Sequence, residues 1–339
     1  MANGAVIAKS KAVYGTLLKK EDYENLVHRS SIHAVVSYLK GTPRYIGVFS
    51  DSDVSLFHRG QVERVLGRAV FESYRRIRRF SARRDGIMDF YIKSQEARQL
   101  AKALVAVGTG KQESFYLAYP DHLIGRIGLS PEALAKAKDG ETLLAALGGT
   151  IFERPLAPLL RGGELDVNRC IIAVNGAVLA WAFGEIDRSE RGKQRERLKS
   201  FFLRKADCAN VMTCYRLKRF FDTDAGRIKE LILPYRYRVK PYEIDEALSA
   251  ADPGAALMRL LSERCISRDI LVDPDLPEIA IARGNYEFFR RRLALTANEA
   301  EALYALMILL ETEQTNLQKI VEGIHYGMAP QEIEKYIII

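Results

Sequence analysis

The sequence predicts a mostly α-helical protein that is built from three diverged copies of one helical unit. An amphipathic segment returns at intervals of roughly 110 residues, and each copy carries an acid that is followed three residues later by an amide. The three acid–amide pairs are Glu96 with Gln99, Asp207 with Asn210, and Glu313 with Asn316. Because residues three apart share one face of a helix, the members of each pair are predicted to act together.

A turn repeats at the same interval and in the same order. The sequence Leu-X-Gly-Thr occurs at residues 39–42 and 147–150, in each case after a short helical segment and before an acid–amide pair. The third copy, at residues 257–261, is degenerate and continues without a glycine. Together the two markers predict three domains, at residues 1–122, 123–230 and 231–339.

In the first third, apolar residues at helical spacing predict two or three helices within residues 5–40, the last of them ending at Gly41. Residues 61–80 form a longer amphipathic pattern. The first acid–amide helix is predicted from about residue 86 to residue 107.

In the second third, Ser130 and Pro131 are the N-cap and the first-turn residue of a predicted helix. Residues 154–163 contain Gly and Pro and predict a loop, which an apolar helix follows at about 165–184. A charged hinge is predicted at residues 187–197, before the second acid–amide helix.

In the last third, a helix is predicted to start after Asp252, and residues 272–277 predict a loop. The third acid–amide helix is predicted from residue 295 until it ends at Gly323, and a last short helix follows it. The alternating pattern of a half-buried strand is nearly absent, and residues 235–239 (YRYRV) are the best strand candidate.

Length and composition are those of a soluble protein with more than one domain. The chain has 339 residues, of which 48% are hydrophobic and 28% charged, and its formal net charge is +8. This charge favours an acidic or polyanionic partner and says nothing about the fold. The four scattered cysteines predict reduced thiols in a cytosolic protein.

No segment is predicted to enter or cross a membrane. Residues 1–20 lack the apolar core of a signal peptide. The most apolar run, residues 170–183, is too short to span a bilayer and contains an asparagine.

The acid–amide pairs have two interpretations. A buried carboxylate needs hydrogen-bond donors, so each pair could tie its helix to a neighbouring turn or helix N-terminus. The alternative is a catalytic pair of carboxylates, but such carboxylates must lie close together and these acids belong to separate copies. The structural role is favoured, and the six residues are predicted to be anchors of the repeat.

No catalytic residue, cofactor site or metal site is predicted. The sequence Gly-Thr-Gly-Lys at residues 108–111 lacks the glycine at 105 and the hydroxyl residue at 112 that a phosphate loop needs. The five histidines are scattered and form no zinc motif, and no Gly-X-Ser-X-Gly sequence of a hydrolase occurs.

Arginine clusters are the remaining sign of a partner. Those expected on a partner-facing or membrane-facing surface are Arg75, Arg76, Arg78 and Arg79, followed by Arg83 and Arg84, and later Arg290, Arg291 and Arg292. A further basic stretch covers residues 188–199. Interleaved aromatic residues would suit nucleic acid. Solvated helix faces with Glu partners, or an acidic protein or lipid partner, would account for the same composition.

These marks together resemble the family of C subunits, called d subunits in eukaryotes, of the V-type and archaeal-type rotary ATPases. The resemblance is carried by residues 12–18 (AVYGTLL), the Leu-X-Gly-Thr turn, the three acid–amide helices and, most closely, residues 313–320 followed by 327–333. It covers nearly the whole chain. The departures are Gln99, where the other copies have Asn, and the missing glycine of the third turn.

The resemblance implies a non-catalytic rotor component. Members of this family form a funnel of three similar helical domains about a pseudo-threefold axis. The funnel sits on the cytoplasmic face of the membrane, peripheral to it. The implied partners are the membrane proteolipid ring and the central-stalk subunits, and the implied role is torque transmission for ATP-coupled proton or sodium transport, with no nucleic acid and no cofactor. The competing interpretations are a basic helical-repeat protein that binds nucleic acid, and an enzyme with an unrecognised motif.

Overall fold

In the computed structural model of this chain, the described residues are 4–49, 57–83, 86–161, 165–266, 270, 273 and 276–339. Their regular secondary structure is helical throughout, with no strand among them, and the predicted mostly α class is confirmed. The α-helices are α1 (Ala5–Tyr14), α2 (Lys20–Val27), α3 (Ile32–Lys40), α4 (Arg59–Arg78), α5 (Phe90–Thr109), α6 (Gln112–Leu117), α7 (Pro131–Lys136), α8 (Gly140–Ala146), α9 (Glu153–Leu160), α10 (Val167–Ser189), α11 (Gly192–Phe221), α12 (Ala225–Glu230), α13 (Pro241–Leu248), α14 (Pro253–Leu260), α15 (Pro277–Leu295), α16 (Glu299–His325) and α17 (Pro330–Glu334).

The chain divides into two compact units. Unit 1 consists of Met1–Arg84 together with Asp275–Ile339, and unit 2 consists of Asp85–Pro274. Unit 1 therefore combines the first and last parts of the sequence, whereas unit 2 is continuous. The division into three domains about a pseudo-threefold axis stays a prediction.

Helix α16 is the centre of unit 1. It packs against α1, α2, α3, α4 and α15, and α17 follows on its surface. The sequence explains this position, because α16 is apolar around most of its circumference and needs neighbours on several sides. The core joins Val36, Leu39 and Leu66 from the first part of the chain to Leu317 and Ile320 from the last.

Unit 2 is organised around α10, which packs against α5, α9 and α11. Helix α11 also contacts the short helices α13 and α14. The side chains of Ser130 and Asp252 accept hydrogen bonds from backbone N–H groups of the first turn and so cap α7 and α14 as the sequence predicts.

Two predicted irregular segments are in fact helical. The loop predicted at 154–163 is wrong for most of its length, because α9 occupies Glu153–Leu160. Pro155 lies in the first turn, where a proline removes no helical hydrogen bond. Pro158 lies inside the helix, and the burial of Leu156 and Leu160, four residues apart, outweighs its cost. The charged hinge predicted at 187–197 shrinks to residues 190–191, since α10 runs to Ser189 and residues 193–199 (KQRERLK) are good helix formers at the start of α11. Gly192, at φ +52°, begins α11.

Three further segments differ from the sequence prediction. The strand predicted at 235–239 is wrong, because the backbone amides of this segment bind a side chain of α11 instead of another strand. Helix α16 continues through Gly323 to His325. The degenerate third turn continues α14 as a π-helical turn at Leu261–Cys265, where no glycine ends the helix. Half of the loop predicted at 272–277 lies outside the described residues, and Pro277 is already the first residue of α15.

Candidate functional site

The second acid–amide pair lies on α11 and holds the loop that precedes α13. Asp207 is 1% exposed, and its carboxylate accepts hydrogen bonds from the backbone N–H groups of Tyr237 (3.0 Å), Arg238 (2.6 Å) and Val239 (3.1 Å). Three donors satisfy a carboxylate that burial would otherwise penalise. The loop is thereby fixed to the middle of a long helix.

Asn210 holds an earlier residue of the same loop. Its Oδ1 accepts a hydrogen bond from the Leu233 N–H (2.7 Å), and its Nδ2 donates to the Leu233 carbonyl (3.0 Å) and to the Tyr235 carbonyl (3.3 Å). The side-chain amide thus replaces both backbone partners that Leu233 would have in a strand. The acid and the amide together fix both ends of residues 233–239.

The first pair lies on α5 and makes the corresponding acid contact. Glu96 accepts a hydrogen bond from the Gly128 N–H (2.8 Å), just before α7, and is paired with Lys93 at 2.9 Å. A side chain at residue 128 would begin 3.0 Å from the Glu96 carboxylate, so the glycine permits this approach. Gln99 is buried too, but its Oε1 has no hydrogen-bond partner among the described residues.

The third pair lies on α16 and takes its donors from the first part of the chain. Glu313 accepts hydrogen bonds from the Leu18 N–H (2.7 Å), just before α2, and from the Tyr45 hydroxyl (2.9 Å), and Arg44 Nε lies 3.5 Å away. Burial raises the pKa of Glu313, while these donors and Arg44 act in the opposite direction. Burial, followed by the charge of Glu313, also raises the pKa of Tyr45 and Tyr23.

Asn316 forms the same two-way bridge as Asn210. Its Oδ1 accepts a hydrogen bond from the Ile338 N–H (3.0 Å), and its Nδ2 donates to the Ile338 carbonyl (2.6 Å). In α11 one continuous loop supplies the partners of the acid and of the amide. In α16 those partners, Leu18 and Ile338, come from opposite ends of the sequence.

Each of the three acids accepts hydrogen bonds from donors of its own, which suits the anchor role and not a pair of catalytic carboxylates. The described residues contain no group of three His, Cys, Asp or Glu side chains that could hold a metal ion. Burial raises the pKa of Cys170 to about 11 and that of Cys214 to about 12, which keeps both thiols protonated and unreactive.

The arginines of the first cluster lie at the C-terminal end of α4. Arg76 and Arg79 are exposed, Arg75 pairs with Glu72 (3.2 Å), and Arg78 donates to the carbonyl of Arg83 (3.2 Å). Arg84 lies outside the described residues. Cations in the last turn also suit the negative end of the helix dipole.

The second cluster lies near the C-terminal end of α15, in the same unit. Arg290 and Arg291 are exposed, and Arg290 pairs with Glu287 at 2.8 Å. Arg292 is turned inward, 2.9 Å from the buried carboxylate of Glu301. In the basic stretch at 188–199, ion pairs with carboxylates are also present, for example Lys199 with Asp187 at 2.7 Å.

Helix α1 connects the ends of α4 and α15. The ammonium group of Lys9 lies over the ring of Phe80, just after α4, at 5.1 Å, and Lys11 donates to the carbonyl of Ala294, in the last turn of α15, at 2.9 Å. Ser81 donates to Glu299 at the start of α16. The two arginine clusters therefore belong to one end of unit 1, which the sequence does not indicate.

One described helix has the length and apolar composition of a membrane span. It is α10, whose 23 residues extend the apolar run at 170–183 in both directions. A core helix of a soluble protein passes the same test, and α10 packs against three other helices. The apolar run at 170–183 is too short to span a bilayer, but the whole of α10 is long enough. That no helix crosses a membrane therefore stays a prediction.

The buried acids on α5, α11 and α16 hold backbone segments by hydrogen bonds, which is a structural role in a helical protein. The chain matches the family model described as ATP synthase (C/AC39) subunit over residues 6–336 and belongs to this family. It is 24% identical to the C subunit of the A-type ATP synthase of Desulfurococcus sp. (strain SY) over 347 residues, which cover 97% of this chain and 88% of that protein. It is also 24% identical, with the same coverage, to the A-type ATP synthase C subunits of Thermococcus onnurineus (strain NA1) and Thermococcus gammatolerans. The resemblance drawn from the sequence is confirmed, and the chain is a non-catalytic member of the family.

The donors of the anchors are what sequence reasoning missed. Leu18, Gly128 and Val239 act through their backbone N–H groups, which leave no mark in the side-chain pattern. A usable signal exists, because each residue comes two or three positions before a short helix with an acid in its first turn. Tyr45 and Arg44 follow the Leu-X-Gly-Thr turn of the first copy and have no counterpart in the repeat.

Proposed function

We propose that the chain is the central-rotor adapter of a V-type or archaeal-type ATP synthase, which links the membrane proteolipid ring to the central stalk and transmits torque for ATP-coupled ion transport. Membership of the family supports the assignment to this machine. The observation that carries the rotor role is the repeated joint, in which a buried acid on α5, α11 or α16 holds the backbone just before α7, α13 or α2.

Such joints suit a part that must transmit force without deforming. A hydrogen bond to a charged group contributes about 1.5–3 kcal/mol, and a buried one cannot exchange with water at low cost. Because each acid sits in the middle of a long helix, the loop and the short helix after it move with that helix. We propose Glu96, Gln99, Asp207, Asn210, Glu313 and Asn316 as the anchors of these joints.

The joints also support the proposed three-domain, pseudo-threefold architecture. The succession of two short helices, a turn and two long helices occurs with α2–α5 and with α13–α16, and in α7–α11 the additional short helix α9 precedes the two long ones. In each case the acid of one copy accepts a hydrogen bond from the start of the next, and the last acid accepts one from the start of the first copy. A cyclic order of contacts of this kind is what a ring of three similar domains requires.

The proposed location is peripheral, on the cytoplasmic face of the membrane, with contact through protein partners. The exposed Arg76, Arg79, Arg290 and Arg291 belong to one end of unit 1 and form its proposed partner-facing or membrane-facing surface. Anionic headgroups attract basic surfaces of this kind.

The test is a pull-down of the tagged chain from gently solubilised membranes of its own source. Co-purification of a small, very apolar ring protein with soluble stalk subunits would support the adapter role. Recovery of nucleic acid, or of neither group of subunits, would contradict it and favour a basic repeat protein.

A variant with Arg76→Glu, Arg79→Glu, Arg290→Glu and Arg291→Glu tests the surface. We expect weaker co-purification at moderate salt, since exposed charges act over about a Debye length of 8–10 Å. The matched control reverses four exposed cations of unit 2, namely Lys136, Lys138, Arg219 and Arg259. Equal recovery with both variants would refute the arginine surface and leave the adapter role to the first test.

A further inference from the structure

We propose that Cys208 and Cys265 form a site of reversible oxidation, at which a peroxide converts their two thiols to a disulfide. Cys208 lies on α11, and Cys265 is the last residue of the π-helical turn that follows α14. Both residues belong to unit 2. The inference goes beyond the rotor role and does not depend on it.

The two cysteines lie side by side in the folded chain, although 57 positions separate them in the sequence. The Cys208 thiol donates a hydrogen bond to the backbone carbonyl of Cys265 over 3.9 Å, and the two thiols are also within hydrogen-bond reach of each other. Helix α11 packs along both α14 and the π-helical turn and so holds the pair together. Because a disulfide forms only between cysteines whose backbones already lie close, this placement is the first requirement of the site.

The π-helical turn presents Cys265 to α11. Turns of this kind are rare, and where they occur they are frequently at functional sites. Here Leu261 and Cys265 are buried, whereas Glu263 and Arg264 are exposed, so one surface turn covers the thiol pair. Local opening of that turn admits a small oxidant while the long helix α11 stays folded.

The surroundings make Cys208 the more reactive member of the pair. The hydrogen bond from the Cys265 thiol lowers the pKa of Cys208, and the charge of Arg204, one turn earlier on α11, acts in the same direction against the effect of burial. The same hydrogen bond raises the pKa of Cys265. Burial raises the pKa of the other two thiols, those of Cys170 and Cys214. Since the thiolate is the nucleophile, Cys208 is the thiol that a peroxide oxidises first.

The oxidation has two steps, with hydrogen peroxide as the oxidant. The Cys208 thiolate attacks one peroxide oxygen, so that a sulfur–oxygen bond forms, the oxygen–oxygen bond breaks, and hydroxide leaves and takes up the proton that the thiol released. The Cys265 sulfur then attacks the sulfur of the resulting sulfenic acid, a sulfur–sulfur bond forms, and the sulfenic oxygen leaves as water with the proton of Cys265. In sum, two thiols lose two electrons and one peroxide becomes two molecules of water. Exchange with a dithiol reverses the reaction.

The disulfide fixes the end of α14 to α11 beside the second joint. Asp207, next to Cys208, holds the loop that precedes α13. Arg264, next to Cys265, donates a hydrogen bond to Glu243 on α13 at 2.6 Å. Oxidation therefore closes a covalent loop that contains α12, α13 and α14, and a crosslink over so long a loop restricts the unfolded chain and stabilises the folded one.

Peptide mapping of the full chain tests the site. The protein is reduced, freed of reductant, treated with a small excess of hydrogen peroxide and alkylated in denaturant. After digestion with trypsin under non-reducing conditions, we expect residues 206–216 to be linked to residues 265–268. Because residues 206–216 also contain Cys214, fragmentation of the linked peptide identifies which of the two cysteines carries the bond. The free thiols should fall from four per chain to two, and dithiothreitol should restore all four.

Variants separate the roles of the two cysteines. Cys265→Ala should leave a sulfenic acid at Cys208 that dimedone traps, whereas Cys208→Ala should give neither the linked peptide nor the adduct. Cys170→Ala is the matched control, because it removes another buried thiol of unit 2 and should form the bond as the unaltered chain does. Far-UV circular dichroism establishes that each variant is folded, and the mapping of the unaltered chain decides the proposal by itself where a variant does not fold.

The oxidised chain should also unfold at a higher temperature than the reduced one. A closed loop of 57 positions in a unit of this size predicts a rise of about 5–15 °C in the thermal midpoint. Dithiothreitol or the substitution Cys208→Ala should abolish the rise. Retention of four free thiols under peroxide, a bond through Cys170 or Cys214, or an unchanged midpoint in a chain that carries the bond would each overturn the proposal.

Discussion

Replacing Asp207 by alanine should destabilise unit 2 strongly. The substitution removes the acceptor of three backbone N–H groups, those of Tyr237, Arg238 and Val239. A hydrogen bond to a charged group contributes about 1.5–3 kcal/mol when its partner is left unsatisfied. Residues 237 and 238 are exposed, so water can replace part of their loss, whereas Val239 is fully buried. The expected loss of unfolding free energy is therefore about 3–5 kcal/mol.

The assay is urea unfolding of the full chain, followed by the fluorescence of Trp181, which lies in unit 2. The comparison is Asp245→Ala, the same chemical change in the same unit, at a carboxylate whose ion pair with Lys229 is half exposed. Surface pairs of this kind contribute less than about 1 kcal/mol. If Asp207→Ala lowers the transition no more than Asp245→Ala does, the anchor role of the buried acids is refuted.

The remaining predictions concern a close backbone approach, a titration and a bridging amide. Gly140→Ala should lower the unfolding free energy by about 3 kcal/mol, because the new methyl group would lie 2.2 Å from the carbonyl oxygen of Leu160. The control Gly176→Ala, which has no atom within 4 Å of the new methyl group, should raise the unfolding free energy by up to about 1 kcal/mol. Similar thermal midpoints for the two variants would contradict this expectation. Because burial raises the pKa of Glu313 above its unfolded value, its contribution to stability is greatest below the unfolded pKa and is lost as pH rises through the folded pKa. The unfolding free energy of the unaltered chain, measured from pH 4 to 8, should therefore fall more with rising pH than that of Glu313→Gln, and identical slopes in the two proteins would exclude this contribution. Asn316→Ala should cost about 2 kcal/mol in the same measurement, since both backbone groups of Ile338 lose their partner, and a loss within error of zero would argue against the bridge.

Helix positions were predictable wherever apolar spacing or cap chemistry fixes them. Residues 61–80 predicted α4, and Ser130 with Pro131 predicted the start of α7, because these signals are local. Prediction failed at α9, where burial of Leu156 and Leu160 outweighs the presence of Pro158 inside the helix.

In each hydrogen bond of the candidate site, only the side-chain member could be predicted from the sequence. The acids and amides stand out because their residue types recur, but their partners are backbone groups whose identity depends on tertiary structure. The segment at 235–239 shows the difficulty most clearly. Its alternating sequence fits a strand, yet Asp207 binds its amides, so local propensity is overridden by one distant carboxylate.

The discontinuity of unit 1 has a consequence for the order of events during synthesis. The hydrogen bond between Leu18 and Glu313 joins residues 295 positions apart, and the core that contains Val36 and Leu66 is completed by α16. At a synthesis rate of about 5–20 residues per second, α16 is made tens of seconds after α2–α4, and the apolar faces of these helices stay exposed in the meantime. Unit 2 is continuous and can close in the meantime. We therefore expect unit 2 to fold first, and the early helices to need protection by a chaperone until the last residues emerge.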